Sequence, residues 1–202
     1  MNKGLLIVLS GPSGCGKGTL TKGLLDNRDT LKLSVSATTR AMREYEQNGV
    51  DYYFYSREEF QKLIDDDEML EYACYNGQFY GTPKKPVVEW LNKGYDVILE
   101  IEVAGAEQVR SRMNTVDIFV LPPSLEELER RLRNRNSESD EQINARLDIA
   151  QEEMKQVKCY CYTVINDDVK TAVSALDSIL TAEKAKTKHI LKQIEDVLRA
   201  KD

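Results

Sequence analysis

Nine consecutive residues, Gly11, Pro12, Ser13, Gly14, Cys15, Gly16, Lys17, Gly18 and Thr19, constrain this chain more than any other stretch. A short apolar run, Leu5-Leu6-Ile7-Val8-Leu9, precedes them and reads as a buried strand. Leu20, Leu24 and Leu25 follow at the spacing of the inner face of a helix. Strand, glycine loop, lysine and helix form the context in which a phosphate-loop match carries weight. Glycines let the backbone curl until several N–H groups face one centre, and the following helix N-terminus favours the same anion. Lys17 adds a charge able to reach the outer phosphates of a nucleotide. One place departs from G-x-x-x-x-G-K-[ST]: residue 18 is Gly, and the hydroxyl comes at Thr19. Direct ligation of Mg²⁺ by a Ser or Thr hydroxyl is thereby less favoured.

At 202 residues and 41% apolar content, the chain fits one domain, or one domain carrying inserted subdomains. No run of 18 apolar residues is present, and the N-terminus lacks a signal-peptide pattern, so a cytoplasmic protein without membrane association is expected. The net charge of −6 argues against sequence-independent nucleic-acid binding, which requires phosphate neutralisation. Cys15, Cys74, Cys159 and Cys161 have neither zinc-site nor disulfide-framework spacing. Cys15 reads as a tolerant loop position, with redox sensitivity the lesser alternative. The single histidine, His189, has no nucleophile motif beside it. Chemistry is therefore expected from positioned charges rather than from a histidine base.

Leu31–Ser36 reads as a second strand, running into Arg40 and Arg43 among several hydroxyls. Paired arginines suit bidentate anion binding, and a solvated loop is equally open on spacing alone. Residues 45–80 hold seven of the ten tyrosines. A strand at Tyr52–Tyr55, a Ser56/Glu59 capping box and an Asn76-Gly77 hairpin turn read as a small mixed β insert. Its tyrosines suit either a wet pocket or the core of that sheet. A helix opens at Pro83 to Pro86 and ends by Gly94. Asp96–Glu102 is then a buried strand with acids at its C-terminal end, where ligands bind in parallel sheets. Glu100 there is placed to hold Mg²⁺ through water, or else to cap the following helix. After the strand Val116–Leu121, boxes at Ser124/Glu127 and Ser139/Gln142 start two helices. Residues 124–146 contain five arginines and no lysine, which suggests phosphate contacts on a lid. Arg130 and Arg133 also have acids near enough to pair with. Thr163–Asn166 is a last strand before a long helix. The Lys-rich tail from Lys184, with Ile190, Leu191, Ile194, Val197 and Leu198 as a stripe, fits either packing on the body or a homo-oligomer contact.

The stretch Thr38-Thr39-Arg40-Ala41-Met42-Arg43-Glu44-Tyr45-Glu46-Gln47-Asn48-Gly49-Val50-Asp51-Tyr52-Tyr53-Phe54 resembles the signature of the guanylate kinase family of P-loop nucleoside monophosphate kinases. The Gly-Lys-Gly-Thr form of the loop and Pro122-Pro123-Ser124 agree with it, and the likeness spans about residues 5 to 182. The resemblance implies an α/β fold: a P-loop NTPase-type parallel sheet flanked by helices, with an inserted mixed β GMP-binding subdomain and an Arg-rich helical lid. The implied boundaries are 1–35, 96–123 and 147–202 for the core, 36–95 for the GMP subdomain and 124–146 for the lid.

The resemblance also implies ATP and GMP as substrates, with Mg²⁺. Residues 11–19 and Asn166 correspond to ATP-binding positions. Ser36, Arg40, Arg43, Tyr52 and Tyr80 correspond to the GMP phosphate site. Glu71 and Thr82 match the readers of guanine, and a carboxylate suits the N1–H and 2-amino donors that adenine lacks. Glu102 stands where the family commonly has Asp, near the acceptor, and Val103-Ala104-Gly105 departs from the usual residues. Lys17, Arg131, Arg135 and Arg146 match groups that clamp the transferring phosphoryl. A non-catalytic guanylate-kinase-like binding module, or a kinase of another small phosphate ester, are the alternatives.

Overall fold

The computed structural model describes residues 3–134, 139–189, 191, 194 and 198. Five strands, β1 (Leu6–Ser10), β2 (Leu31–Leu33), β7 (Asp96–Glu100), β8 (Val116–Leu121) and β9 (Tyr162–Ile165), form a parallel sheet ordered β2-β7-β1-β8-β9. β1 is buried along its whole length, as the continuous apolar run requires of a central parallel strand. Its alternate side chains serve two layers. Ile7 and Leu9 pack with Leu20 and Leu24 of α1 (Lys17–Asn27) and Leu176 and Leu180 of α7 (Val169–Lys184). Leu6 and Val8 pack with Val87 and Leu91 of α3 (Lys84–Asn92) and Ala106 and Val109 of α4 (Val103–Arg112).

A second, mixed sheet ordered β4-β3-β6-β5 is built from β3 (Ala37–Thr38), β4 (Tyr53–Phe54), β5 (Met69–Tyr75) and β6 (Gln78–Pro83). The Asn76-Gly77 turn joins β5 to β6 with φ of 49° and 76°, the left-handed pair that suits a two-residue hairpin. Helix α2 (Arg57–Asp65) starts with the expected complete capping box of Ser56 and Glu59 and buries Phe60 against Ala37 and Met69. The expected strand over 31–36 ends at Leu33, and the next, β3, begins only at Ala37. Ser34 N–H still donates to Ile98 of the parallel sheet, whereas the Ser36 carbonyl accepts from Tyr53 of the mixed one. The chain changes sheets across this polar step, so one ladder cannot run through it.

Helices α5 (Leu125–Arg133) and α6 (Asp140–Met154) pack through Leu128, Leu132, Ile143 and Ala150. The box at Ser139/Gln142 is complete. That at Ser124 is half made: Ser124 accepts from Glu127 N–H, but the Glu127 carboxylate is held by Arg130 and Arg131. Beyond α7, Leu191, Ile194 and Leu198 are exposed, while Ile190 and Val197 lie outside the described residues. Among the described residues no helix is long and apolar enough to cross a membrane.

Candidate active site

The C-terminal ends of the parallel strands bring the site together. Register sets Leu9 beside Glu100, and Ser10 beside Phe119, so the loop leaving β1 rises between β7 and β8. Gly11, Gly14 and Gly16 have φ of 148°, 90° and 96°, a region closed to most side chains. Space is as restrictive as φ. A Cβ on Gly11 would stand 2.3 Å from the Val120 carbonyl oxygen, and one on Gly16 would stand 2.3 Å from Asn166 Nδ2. Gly16 is also the N-cap of α1, whose first turn carries no acid, so its free N–H groups face the loop centre without an internal anion. Lys17 Nζ donates to the Gly11 and Pro12 carbonyls at 2.6 and 3.3 Å. Gly16→Ala is accordingly expected to cost about 2–4 kcal/mol of stability in urea denaturation, from forced φ and displacement of Asn166.

Pro12 is buried beneath the loop, whereas Ser13, Gly18 and Thr19 are exposed. Cys15 is fully buried, and burial pushes its thiol up from the usual range, opposite to what a redox-sensitive thiolate needs. Its carbonyl accepts from Asn166 Nδ2 at 2.8 Å and from Arg131 at 3.4 Å. Asn166 is 3% exposed, and its own carbonyl accepts from Arg131 at 2.9 Å. Asn166 therefore stands behind the loop and staples it to the end of β9. Arg131 also pairs with Glu127 at 2.7 Å, and Arg130 binds the same carboxylate, which together hold it down to about 2. Arg133 pairs with Glu129 and Asp140 on the outer face. Arg146 reaches from α6 to the Ser13 hydroxyl at 2.5 Å. Arg135 lies outside the described residues.

A cavity of about 480 Å³ over the loop is lined by Ser13, Lys17, Glu100, Glu102, Arg146 and Glu153 among others. Glu100 is half-buried; burial raises its pKa, opposed by the charge of Lys17 and by Thr21. Across from it, a Cβ on Gly18 would stand 3.6 Å from Glu100 Oε1, an ordinary contact, so the carboxylate borders the place where a residue-18 hydroxyl would sit. The N-cap of α4 is Glu102, not Glu100, and its side chain makes no capping bond. Both acids are thus left facing the cavity.

A second cavity, about 300 Å³, shares Tyr75, Glu100, Ile101 and Glu102 with the first. One of its walls is a face of β5, Glu71, Ala73 and Tyr75 at every second residue, with Ser36, Tyr52 and Tyr80 beside it. Thr82 lies opposite Glu71 in the β5–β6 ladder and donates its hydroxyl to Glu71 Oε1 at 2.7 Å. Glu71 is 7% exposed; burial raises its pKa, the Thr82 bond opposes this, and Glu102 adds to it. Arg40 forms a two-pronged pair with Glu46 at 2.7 and 3.0 Å and stands over the Tyr52 ring, with Tyr80 against it. Arg43 donates to the Tyr45 hydroxyl, and its backbone N–H donates to Glu46. The signature's acid therefore holds the Arg40 guanidinium and the Arg43 backbone.

Among the lining residues not singled out from sequence, two carry polar groups, Glu153 and Tyr75. Glu153 sits two helical turns after Arg146 on α6 and faces the loop cavity. Tyr75 borders both cavities from the hairpin. The helical spacing offered a signal for Glu153, and only the folded hairpin shows Tyr75.

Comparison with known proteins agrees with this geometry. The sequence model of the Guanylate kinase family matches residues 3–183. A guanylate kinase of Clostridioides difficile is 51% identical over 187 residues, covering 92% of this chain and 91% of its own length. One of Halalkalibacterium halodurans is 47% identical, with 97% of each chain covered. The crystal structure of guanylate kinase from Anaplasma phagocytophilum superposes with a TM-score of 0.75 at 36% identity, covering 96% of this chain and 94% of that one. With a glycine-rich loop and lysine over one cavity, a second cavity lined by carboxylates and a family match along nearly its whole length, the chain belongs to the guanylate kinase family.

Proposed function

We propose that the protein transfers the terminal phosphoryl group of ATP to GMP, giving ADP and GDP. The observation that carries this reading is the shared wall of the two cavities: Tyr75, Glu100, Ile101 and Glu102 separate a phosphate-loop chamber from one lined by Glu71, whose carboxylate the buried Thr82 holds from behind. Donor and acceptor phosphates meet at that wall. Lys17, the loop N–H groups, Arg131 and Arg146 neutralise the charge gathered there, with Arg135 assigned to the same set. Arg40, Arg43, Tyr52, Tyr80 and Ser36 hold the acceptor phosphate, so that attack is in line and little covalent chemistry falls to the protein. On this reading 36–95 is the acceptor subdomain and 124–146 the lid, with the rest as core.

Mg²⁺ fits this arrangement as an ion carried by the phosphates. Among the described residues no group of three or more His, Cys, Asp or Glu could cage a metal. One half-buried carboxylate, Glu100, borders Gly18 beside Lys17. Magnesium typically keeps several waters and takes one or two carboxylates in nucleotide sites, and Glu100 would hold it through such a water. When bound, the ion supplies charge neutralisation on the phosphate oxygens. The unpaired cysteines and the nucleotide substrates support a cytoplasmic setting.

The test is a coupled assay of ADP formation with GMP, AMP, UMP and dTMP at equal concentration. GMP is expected to exceed each of the others in kcat/KM by at least about a hundredfold, as buried polar readers allow. Comparable turnover with another base would defeat the assignment of the acceptor, and no turnover with any would leave a binding module.

A further inference from the structure

We infer that α4 is the platform that orients the base reader: Gln108 grips the Tyr72 peptide and Gly105 makes room for the Glu71 carboxylate, so both set purine selectivity without touching the purine. The inference rests on the reading that Glu71 recognises the base. β5 is an edge strand of the mixed sheet, with its outer side unpaired by any strand. At Tyr72 that side is paired by a side chain. Tyr72 N–H donates to Gln108 Oε1 at 3.1 Å, and Gln108 Nε2 donates back to the Tyr72 carbonyl at 2.9 Å. A primary amide has one acceptor and two donors in a plane, which lets it close this reciprocal ring as a neighbouring strand would. Tyr72 is the residue directly after Glu71. The ladder with β6 is irregular between Met69 and Glu71, so pairing within the sheet alone fixes this segment weakly.

Gly105 and Arg112 complete the platform. A Cβ on Gly105 would stand 2.7 Å from Glu71 Oε2, so the carboxylate lies directly on the helix backbone. Arg112 donates to the Met69 carbonyl at 3.0 Å and pairs with Asp67. Residues 105, 108 and 112 lie on one face of α4, against Glu71, Tyr72 and Met69 of β5. Leu70 meanwhile packs in the core of the parallel sheet with Val87 and Val109, while Met69 packs in the core of the insert. Glu71 is thus held by the parallel-sheet body, although its strand belongs to the insert.

The experiment compares kcat/KM for GMP and for IMP, which lacks only the 2-amino group, in Gln108→Leu, Gln108→Asn and Gly105→Ala, with ATP KM and thermal melting measured in parallel. Amide exchange at Tyr72 reports the grip itself. The expected result is a fall of about fivefold or more in the GMP:IMP ratio in each variant, faster exchange at Tyr72, and an ATP KM within about twofold of the parent. Gln108→Asn retains polarity but is too short to close the ring, and it serves if Gln108→Leu does not fold. An unchanged ratio in folded Gln108 and Gly105 variants overturns the platform, provided Glu71→Gln abolishes the ratio. A ratio that survives Glu71→Gln overturns the reading of Glu71 instead.

Discussion

Lys17→Ala is expected to lower kcat by about a thousandfold while leaving the dissociation constant of GMP close to its parent value. The ammonium is already placed: it bridges the Gly11 and Pro12 carbonyls at the mouth of a loop whose backbone passes through φ values that glycine adopts readily. It lines the loop cavity with Arg146, on the donor side of the Glu100–Glu102 wall, and does not line the cavity holding Glu71. Loss of a preorganised group aimed at developing charge costs about 10²–10³ in rate for a neutral donor, and Lys17 brings a full charge as well. Arginine should not restore activity, because a planar fork does not fit a seat made for a compact ammonium between two carbonyls. A second consequence follows from Glu100. Burial raises its pKa and Lys17 opposes the rise, so removing the lysine disfavours the carboxylate further. The acid limb of the residual pH–rate profile should therefore move to higher pH. Single-turnover rates and calorimetric GMP titration check both points; a kcat within tenfold of the parent would sink the role given to Lys17.

The parts of this site legible in the sequence are those fixed by neighbours in the chain. The loop glycines, the hairpin at Asn76-Gly77 and the box at Ser56 act over two to four residues, and each lies where periodicity and turn chemistry place it. The family signature also marks Glu46, but only the fold shows that its carboxylate holds Arg40 and the Arg43 N–H at once. Where tertiary contacts decide, local pattern gives little. Ser34 and Ser36, between β2 and β3, bond to different sheets, a division set by what lies across from each. Asn166 matches a nucleotide-binding place, yet its Nδ2 donates to the Cys15 carbonyl, 151 residues away in sequence. Gln108 on a helix face reads as an ordinary polar residue until β5 is laid along α4.

Glu71→Gln should trade recognition for stability. In the folded protein Glu71 is 7% exposed, with Thr82 as its hydrogen-bond donor and the α4 backbone at Gly105 against its other oxygen. Guanine offers two adjacent donors, N1–H and the 2-amino group, to an acceptor-only group. Gln keeps one acceptor and turns an NH₂ toward the other donor. Hydrogen bonds to a charged group are worth about 1.5–3 kcal/mol each, so losing one and frustrating the second amounts to about 4 kcal/mol, or roughly a thousandfold in kcat/KM for GMP. The preference over AMP should collapse with it, since adenine presents no such donor pair. Stability moves the other way. Burial, with Glu102 adding to it, raises the Glu71 pKa above the ordinary carboxyl range. The folded chain thus binds this proton more tightly than the unfolded one, and its stabilising effect is complete below the ordinary range and lost as pH climbs through the raised value. Above that value the free enzyme carries a buried carboxylate charge held by Thr82, and a neutral amide removes the cost of keeping it there. Melts of the nucleotide-free proteins should show Glu71→Gln unfolding at the higher temperature near neutrality, with the gap closing as the solution is acidified. Addition of GMP should raise the melting temperature of the parent and barely move that of the variant. If the variant is instead the less stable at neutral pH, or keeps its preference for GMP over AMP, the carboxylate is a structural anchor for Thr82 rather than the group that selects the base.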